Sequence, residues 1–292
     1  MTTTRGARFG AVVAAGLLAL TAACSEEAPE SPPVEGTAPS TLASDATTYA
    51  ALGDSYVSGP GIDPQLDDAG VCLRSGENWP HLVASALDLE LDDVSCAGAG
   101  LLHLRSTVEG AEGPISAQVD AVEADTDLVT VGIGANDSQV FGSLVAGCGT
   151  SLAACGEYSG GALPEALQAL RGDLTSFLRD VRRQAPDAVV LVTGYLPLAQ
   201  PGESCAELPV AAGAVDLFVE GLASLDATVA EAAEAAGVGF VDVSEAGADH
   251  TVCSDDPWVN GETAPPGDGV ELHPNAAGMA AVASLVEAAV AP

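Results

Sequence analysis

The 292-residue chain contains no lysine: its eight basic residues are all arginine, set against 42 Asp and Glu and four His, for a formal charge of −34. Such a surface repels phosphate backbones and anionic headgroups, which excludes nucleic acid as a partner and charge attraction as a route to a membrane. No C-x-x-C occurs and no Cys/His cluster has zinc-finger spacing, so no metal or other cofactor is expected. A G-x-S-x-G elbow is also missing, which argues against a general α/β-hydrolase. There is no internal repeat.

Arg5 and Arg8 precede the apolar run Phe9 to Leu20 and the small residues "TAAC". This run is too short for a membrane span and fits a secretory signal over residues 1–24. Its end resembles a bacterial lipobox with Cys24 as the lipidated residue, although Thr21 stands where Leu is usual. Cleavage after Ala23 with free secretion is the alternative. Either route makes the protein extracellular, and the lipobox would tether it to the outer face of the membrane through Cys24 alone. Without Arg5 and Arg8 the mature chain is two units more negative.

Setting Cys24 aside leaves Cys72, Cys96, Cys148, Cys155, Cys205 and Cys253, an even set that reads as disulfides in an exported chain. Six cysteines allow about 15 pairings. Nearest neighbours in order are expected: 72 with 96, 148 with 155, 205 with 253. Residues 25–45, rich in Pro, Ser, Thr and Glu, are too polar to bury a core and read as a disordered tether. Residues 46–292 suit one α/β domain.

Within that domain apolar runs alternate with helix-period stretches, the pattern of a parallel sheet covered by helices on both faces. Expected strands are "TYAALGD", "LDDVSCA", "DLVTVGIG", "AVVLVTGYLP" and "GVGFVDVS". Helices are expected over "NWPHLVASALD", "ISAQVDAVEA", "LPEALQALRGDLTSFLRDVRRQ", "VDLFVEGLASLDATVAEAAEAAG" and "NAAGMAAVASLVEAAV". In open α/β sheets the working site lies beyond the carboxyl ends of the strands. Three strand ends finish there in polar or Gly-bearing turns: "GDSY" at 53–56, "SCAGAG" at 95–100 and "GANDS" at 134–138. "ELHPNAAG" puts His273 before Pro274 at the start of the last helix.

These blocks, in this order over nearly the whole domain, resemble those of the GDSL, or SGNH, hydrolases: "GDSY", Gly98, "GAND" and "HP". The resemblance is strongest to the secreted actinomycete lipases and esterases, which also carry three disulfides and a long loop ahead of the His. It implies a three-layer α/β/α sandwich on a mainly parallel, flavodoxin-like five-stranded sheet. It also implies a serine ester hydrolase, with Ser55 as nucleophile and His273 as general base. Acyl transfer needs an activated nucleophile and donors aimed at the developing oxyanion. Ser55 N–H, Gly98 N–H and the Asn136 amide are the expected donors.

The third triad position departs from the pattern, since many members have an acid three residues before the His and Val270 stands there. In the actinomycete esterases that the chain resembles, a backbone carbonyl at that place can orient the imidazole instead, so the resemblance implies Val270 as the orienter, with the Glu271 or Asp268 side chain as the substitute. His81 and His103 read as structural or surface residues, and His250, near Cys253, as the one rival base. Asp54 and Asp137 read as turn residues. The acidic "IDPQLDD" lacks the Gly and distal Glu of an EF-hand, so a solvated loop is expected. In the irregular loop before His273, Trp258 is either an anchoring aromatic or a wall for the acyl chain.

A monomeric enzyme acting on small-molecule or lipid esters is therefore expected. A carbohydrate acetylesterase, a phospholipase and a non-catalytic cell-surface binding protein on the same fold are the alternatives. The charge excess makes one prediction independent of the site. Added salt screens self-repulsion, so the melting temperature should rise with salt, and a steady fall would contradict this reading.

Overall fold

The computed structural model describes residues 40–291; the signal segment, Cys24 and most of the expected tether lie outside the described residues. Leu42, within the expected tether, donates its N–H to Val290 O at 3.0 Å and packs against the core, so the folded domain begins before residue 46.

The main sheet contains β1 Thr48–Gly53, β2 Glu90–Asp93, β5 Leu128–Gly132, β6 Val189–Thr193 and β7 Gly239–Val241. Their order is β2-β1-β5-β6-β7, and every neighbouring pair is parallel. The short strands β3 Val108–Gly110 and β4 Gly113–Ile115 form a separate antiparallel hairpin. All five residues of β5 and of β6 are buried, as continuous apolar strands must be when helices cover both faces. The edge strand β2 reads "ELDD" and alternates between exposed and half-buried.

Helices supply the outer layers: α1 Ser55–Ser58, α2 Trp79–Leu87, α3 Leu101–Arg105, α4 Val140–Thr150, α5 Leu152–Gly160, α6 Ala162–Gln184, α7 Val215–Ala236 and α8 Ala276–Val290. α2 packs on α8, and α6 on α7. In α6 the buried residues Leu163, Leu167, Leu170, Leu174, Leu178 and Val181 recur every three or four positions, which gives one apolar stripe. Gly237 ends α7 at φ 70°, a left-handed cap that glycine adopts without strain.

Some expectations of local structure fail for identifiable reasons. The helix expected over residues 115–124 is only a 3-10 turn, Gln118–Ala121, preceded by the β3–β4 hairpin. Gln118 is committed elsewhere: its side-chain amide donates to Gly53 O at 2.9 Å and accepts from Gly53 N at 2.7 Å, pairing with the end of β1 as a strand would. The strand expected over residues 91–97 ends at Asp93, because Asp93 bonds the N–H and hydroxyl of Ser95 and turns the chain. α4 and α5 occupy a stretch for which no helix was expected.

All three disulfides pair as expected: Cys72–Cys96, Cys148–Cys155 and Cys205–Cys253. The strand order reverses at β1 and β5, which puts the topological switch crevice beyond their carboxyl ends.

Candidate active site

At the end of β1, Gly53 lies so close to the neighbouring strand that a Cβ there would sit 2.6 Å from Gly132 O; only glycine fits. Asp54 follows as the N-cap of α1, accepting from Tyr56 N at 2.9 Å. Its own N–H bonds Gly132 O at 2.9 Å, so the turn is fastened to β5. Ser55 is then the first residue of α1, and among the described residues its N–H has no acceptor. That free donor is the ordinary consequence of a helix start.

His273 reaches Ser55 from the far end of the chain, with Nε2 2.8 Å from Oγ. Its Nδ1 lies 2.7 Å from the backbone carbonyl of Glu271. A carbonyl oxygen can only accept, so Nδ1 carries the proton and Nε2 is left with a lone pair facing the serine hydroxyl. The orienter is thus Glu271 O and not Val270 O, which corrects the sequence expectation. Leu272, between them, takes a left-handed φ of 57°, folding the carbonyl two residues back onto the ring. The Val270 carbonyl faces the Asn260 amide instead, at 3.4 Å. Asp268 is not the orienter either, since its carboxylate accepts from Ala276 N at 2.8 Å at the start of α8.

Backbone bonds lock this segment. Asn260 N donates to His273 O at 2.9 Å, Leu272 N to Gly261 O at 3.1 Å, and the Tyr56 hydroxyl to Leu272 O at 2.7 Å. Pro274 is not the first helical residue: Asn275 caps α8, accepting from Gly278 N and donating to Pro257 O. The imidazole is largely desolvated, which pushes its pKa below the usual histidine value; the Glu271 carbonyl and carboxylate partly offset this. The ring is therefore neutral, and competent as a base, at neutral pH.

The remaining donors lie in two turns fastened to each other. Gly98 takes φ 78°, the conformation that requires glycine, and a Cβ there would meet no protein atom within 4 Å, so space beside it is open. Among the described residues its N–H has no acceptor. The Cys72–Cys96 disulfide and the bond from Ala97 N to Cys72 O at 3.0 Å pin this turn. Asn136 donates one amide hydrogen to Ala99 O at 2.9 Å, leaving the other free. Asp137 accepts from Leu101 N at 3.0 Å, cross-bracing the same two turns, and burial raises its pKa.

Asp54 does more than its turn role required. Its side chain is fully buried, and the Tyr195 hydroxyl donates to it at 2.7 Å while accepting from Ala135 N at 2.9 Å. One tyrosine just beyond β6 thus joins the Ser55 turn to the Asn136 turn. Burial pushes the Asp54 carboxyl up to about 7, with the Tyr195 and Tyr56 donors opposing. Tyr195 was not singled out from the sequence, although its place at the end of "VVLVTGY" was the available signal.

The rival histidines lie elsewhere. His250 stacks on Trp258 with ring centroids 3.9 Å apart and bonds Asp256 O, which also makes Trp258 an anchor rather than an acyl wall. His81 bonds its own helix cap Asn78, and His103 accepts from Gly100 N.

Comparison with known proteins shows the family of the chain. Residues 51–281 match the model of the GDSL-like lipase/acylhydrolase family. The chain is 34% identical to Lipase 2 of Streptomyces coelicolor over 249 residues, covering 79% of this chain and 81% of that protein. The fold is similar to the crystal structure of the extracellular lipase of Streptomyces rimosus, at TM-score 0.70 and 28% identity, covering 84% of this chain and 100% of that one. It is also similar to phospholipase A1 of Streptomyces albidoflavus, at TM-score 0.73 and 27% identity, covering 83% and 99%. The chain belongs to the GDSL-like lipase/acylhydrolase family, a family of ester hydrolases.

Two predictions follow from the geometry. Glu271→Ala keeps its carbonyl and should keep most of the activity, with the acid limb of kcat/KM moved to lower pH because a carboxylate that raises the His273 pKa is gone. A loss on the order of 10⁴-fold, as when a triad carboxylate is removed, would show that the side chain orients the ring. Tyr195→Phe leaves buried Asp54 Oδ2 and the Ala135 N–H without the partner they share and should cost about 1–3 kcal/mol of stability in denaturant unfolding. Through misplacement of both turns it should also cost kcat by on the order of 10²-fold; unchanged kcat would dissociate the bridge from catalysis.

Proposed function

We propose that this member of the family hydrolyses carboxylic esters through an acyl-enzyme on Ser55, with His273 as general base. The observation that carries the reading is the pair of contacts at one imidazole: Nδ1 on Glu271 O and Nε2 on Ser55 Oγ. The Ser55 proton passes to Nε2 as Oγ attacks the carbonyl carbon. The substrate oxygen takes up negative charge facing Ser55 N–H, Gly98 N–H and the free Asn136 amide hydrogen. Each such donor contributes ~2.7–4 kcal/mol of transition-state stabilisation. Nε2–H then protonates the departing alcohol. Water, deprotonated by the same nitrogen, attacks the acyl-enzyme, and release of the acid restores Ser55.

Action as a monomer is part of this proposal. An extracellular location is supported by the signal-like residues 1–24 and by the likeness to an extracellular lipase. Attachment through lipidated Cys24 is supported by the other six cysteines, which pair among themselves.

Covalent labelling tests the central step. An organophosphonate ester should modify Ser55 stoichiometrically, and Ser55→Ala should lose turnover and labelling while melting as the wild type does. Unchanged labelling of Ser55→Ala would overturn the assignment. For the anchor, Cys24→Ala should move the enzyme from the membrane fraction to the medium; wild-type enzyme found only in the medium would refute it.

A further inference from the structure

None of the steps above uses Gln118, which is 2% exposed and opens the 3-10 turn Gln118–Ala121. Its Oε1 accepts from Gly53 N at 2.7 Å and its Nε2 donates to Gly53 O at 2.9 Å. Gly53 O also accepts from Cys96 N at 3.0 Å. Two turns therefore meet at one carbonyl oxygen, and they meet at matching places: Gly53 stands two residues before Ser55, and Cys96 two residues before Gly98. On the opposite side of the same peptide, Asp54 N is held by Gly132 O at 2.9 Å.

The amide stands where the sheet runs out. β2 pairs with β1 only as far as Asp93, opposite Ala51. Beyond that point Val94 N still reaches Ala51 O and Cys96 N still reaches Gly53 O, both at 3.0 Å. A continuing parallel ladder would also offer Gly53 N a carbonyl from the β2 chain. Gln118 Oε1 takes that bond instead, and Nε2 closes the pair. A primary amide suits the place because it carries an acceptor and a donor side by side, as a peptide edge does.

We propose that Gln118 is a positioning residue for the oxyanion hole: by clamping the Gly53 peptide it sets the Ser55 N–H and the Gly98 N–H relative to each other. The proposal rests on the ester-hydrolase reading and adds to it a residue that touches neither the ester nor the Ser55–His273 pair. A backbone donor has no rotamer with which to adjust, so it goes where its peptide is put. The developing oxyanion must lie close to both donors at once, and a misplacement of ~1 Å costs on the order of 10²-fold in rate. Through Cys96 the clamp acts on the Gly98 turn, and through Asp54 on the helix start that leaves Ser55 N–H free.

The experiment measures kcat and KM on p-nitrophenyl acetate for wild type, Gln118→Met and Gln118→Glu from about pH 5.5 to 9, with near-ultraviolet circular dichroism of each protein at every pH. Gln118→Met keeps the length of the side chain and removes both bonds. Its kcat should fall on the order of 10²-fold with KM nearly unchanged, because the loss falls on the transition state. Gln118→Glu separates positioning from mere filling of space. A protonated carboxyl accepts from Gly53 N and donates to Gly53 O as the amide does, whereas a carboxylate has no proton for Gly53 O. Burial disfavours the carboxylate, so the kcat of Gln118→Glu relative to wild type should approach one at the acid end and fall at least about tenfold toward the alkaline end while the protein stays folded. Taking the ratio cancels the titrations of His273 and Asp54, which both proteins share. Wild-type kcat in Gln118→Met, a Gln118→Glu ratio level with pH, or a fall in kcat that only follows loss of the folded signal would overturn the proposal. Should Gln118→Met not fold, the Gln118→Glu profile decides alone. Failure of a methylphosphonate ester to label Ser55 in wild type would instead remove the ester-hydrolase reading on which the proposal stands.

Discussion

A hydrogen bond between residues 218 positions apart, His273 Nε2 to Ser55 Oγ at 2.8 Å, is the contact on which the rest of this structure bears. It closes only if the first turn after β1 and the loop before α8 are both held. The loop is held by two backbone bonds, Asn260 N on His273 O and Leu272 N on Gly261 O, and by one side chain, the Tyr56 hydroxyl on Leu272 O. Leu272 accepts a left-handed conformation that bulky residues avoid. That local cost brings the Glu271 carbonyl under the ring and does the work of the missing acid.

A carbonyl orienter has a chemical consequence. It fixes the tautomer as a carboxylate would but brings no full charge, so it stabilises the imidazolium less once the proton has moved. The burial that lowers the His273 pKa acts in the same direction. The exposed Glu271 carboxylate restores part of the lost electrostatic support from a distance. Beneath Ser55, the buried Asp54 carboxyl and the Tyr195 hydroxyl bond one another and tie neighbouring turns together. They link the ends of β1, β5 and β6, and with the Asn136 and Asp137 bonds to Ala99 and Leu101 they give the three proposed oxyanion donors one common frame.

The layers, the five strands and the helices α2, α6, α7 and α8 were readable because their signals are local: continuous apolar runs for buried strands, a three-to-four spacing for α6, a terminal Gly for α7. Ser55, Gly98 and Asn136 were readable because the strand-end rule put their turns on one edge, and the resemblance of the four blocks in order to those of the GDSL hydrolases added His273. What escaped reading is set by contacts distant in sequence. Gln118 left the helical pattern of its segment to pair with Gly53, 65 residues away. The place of Tyr195 depends on Asp54, 141 residues away. The orienter slipped by one residue, from Val270 to Glu271, because a positive φ at Leu272 has no signature in a leucine.

The central claim is that the His273 ring is held as the Nδ1–H tautomer by a backbone carbonyl, with a free Nε2 facing Ser55. Nitrogen-15 NMR of the labelled imidazole at neutral pH reads this directly. The account predicts a protonated Nδ1 and an unprotonated Nε2, with Nε2 shifting when Ser55 is replaced by alanine. A proton on Nε2, or an imidazolium persisting above pH 7, would contradict it.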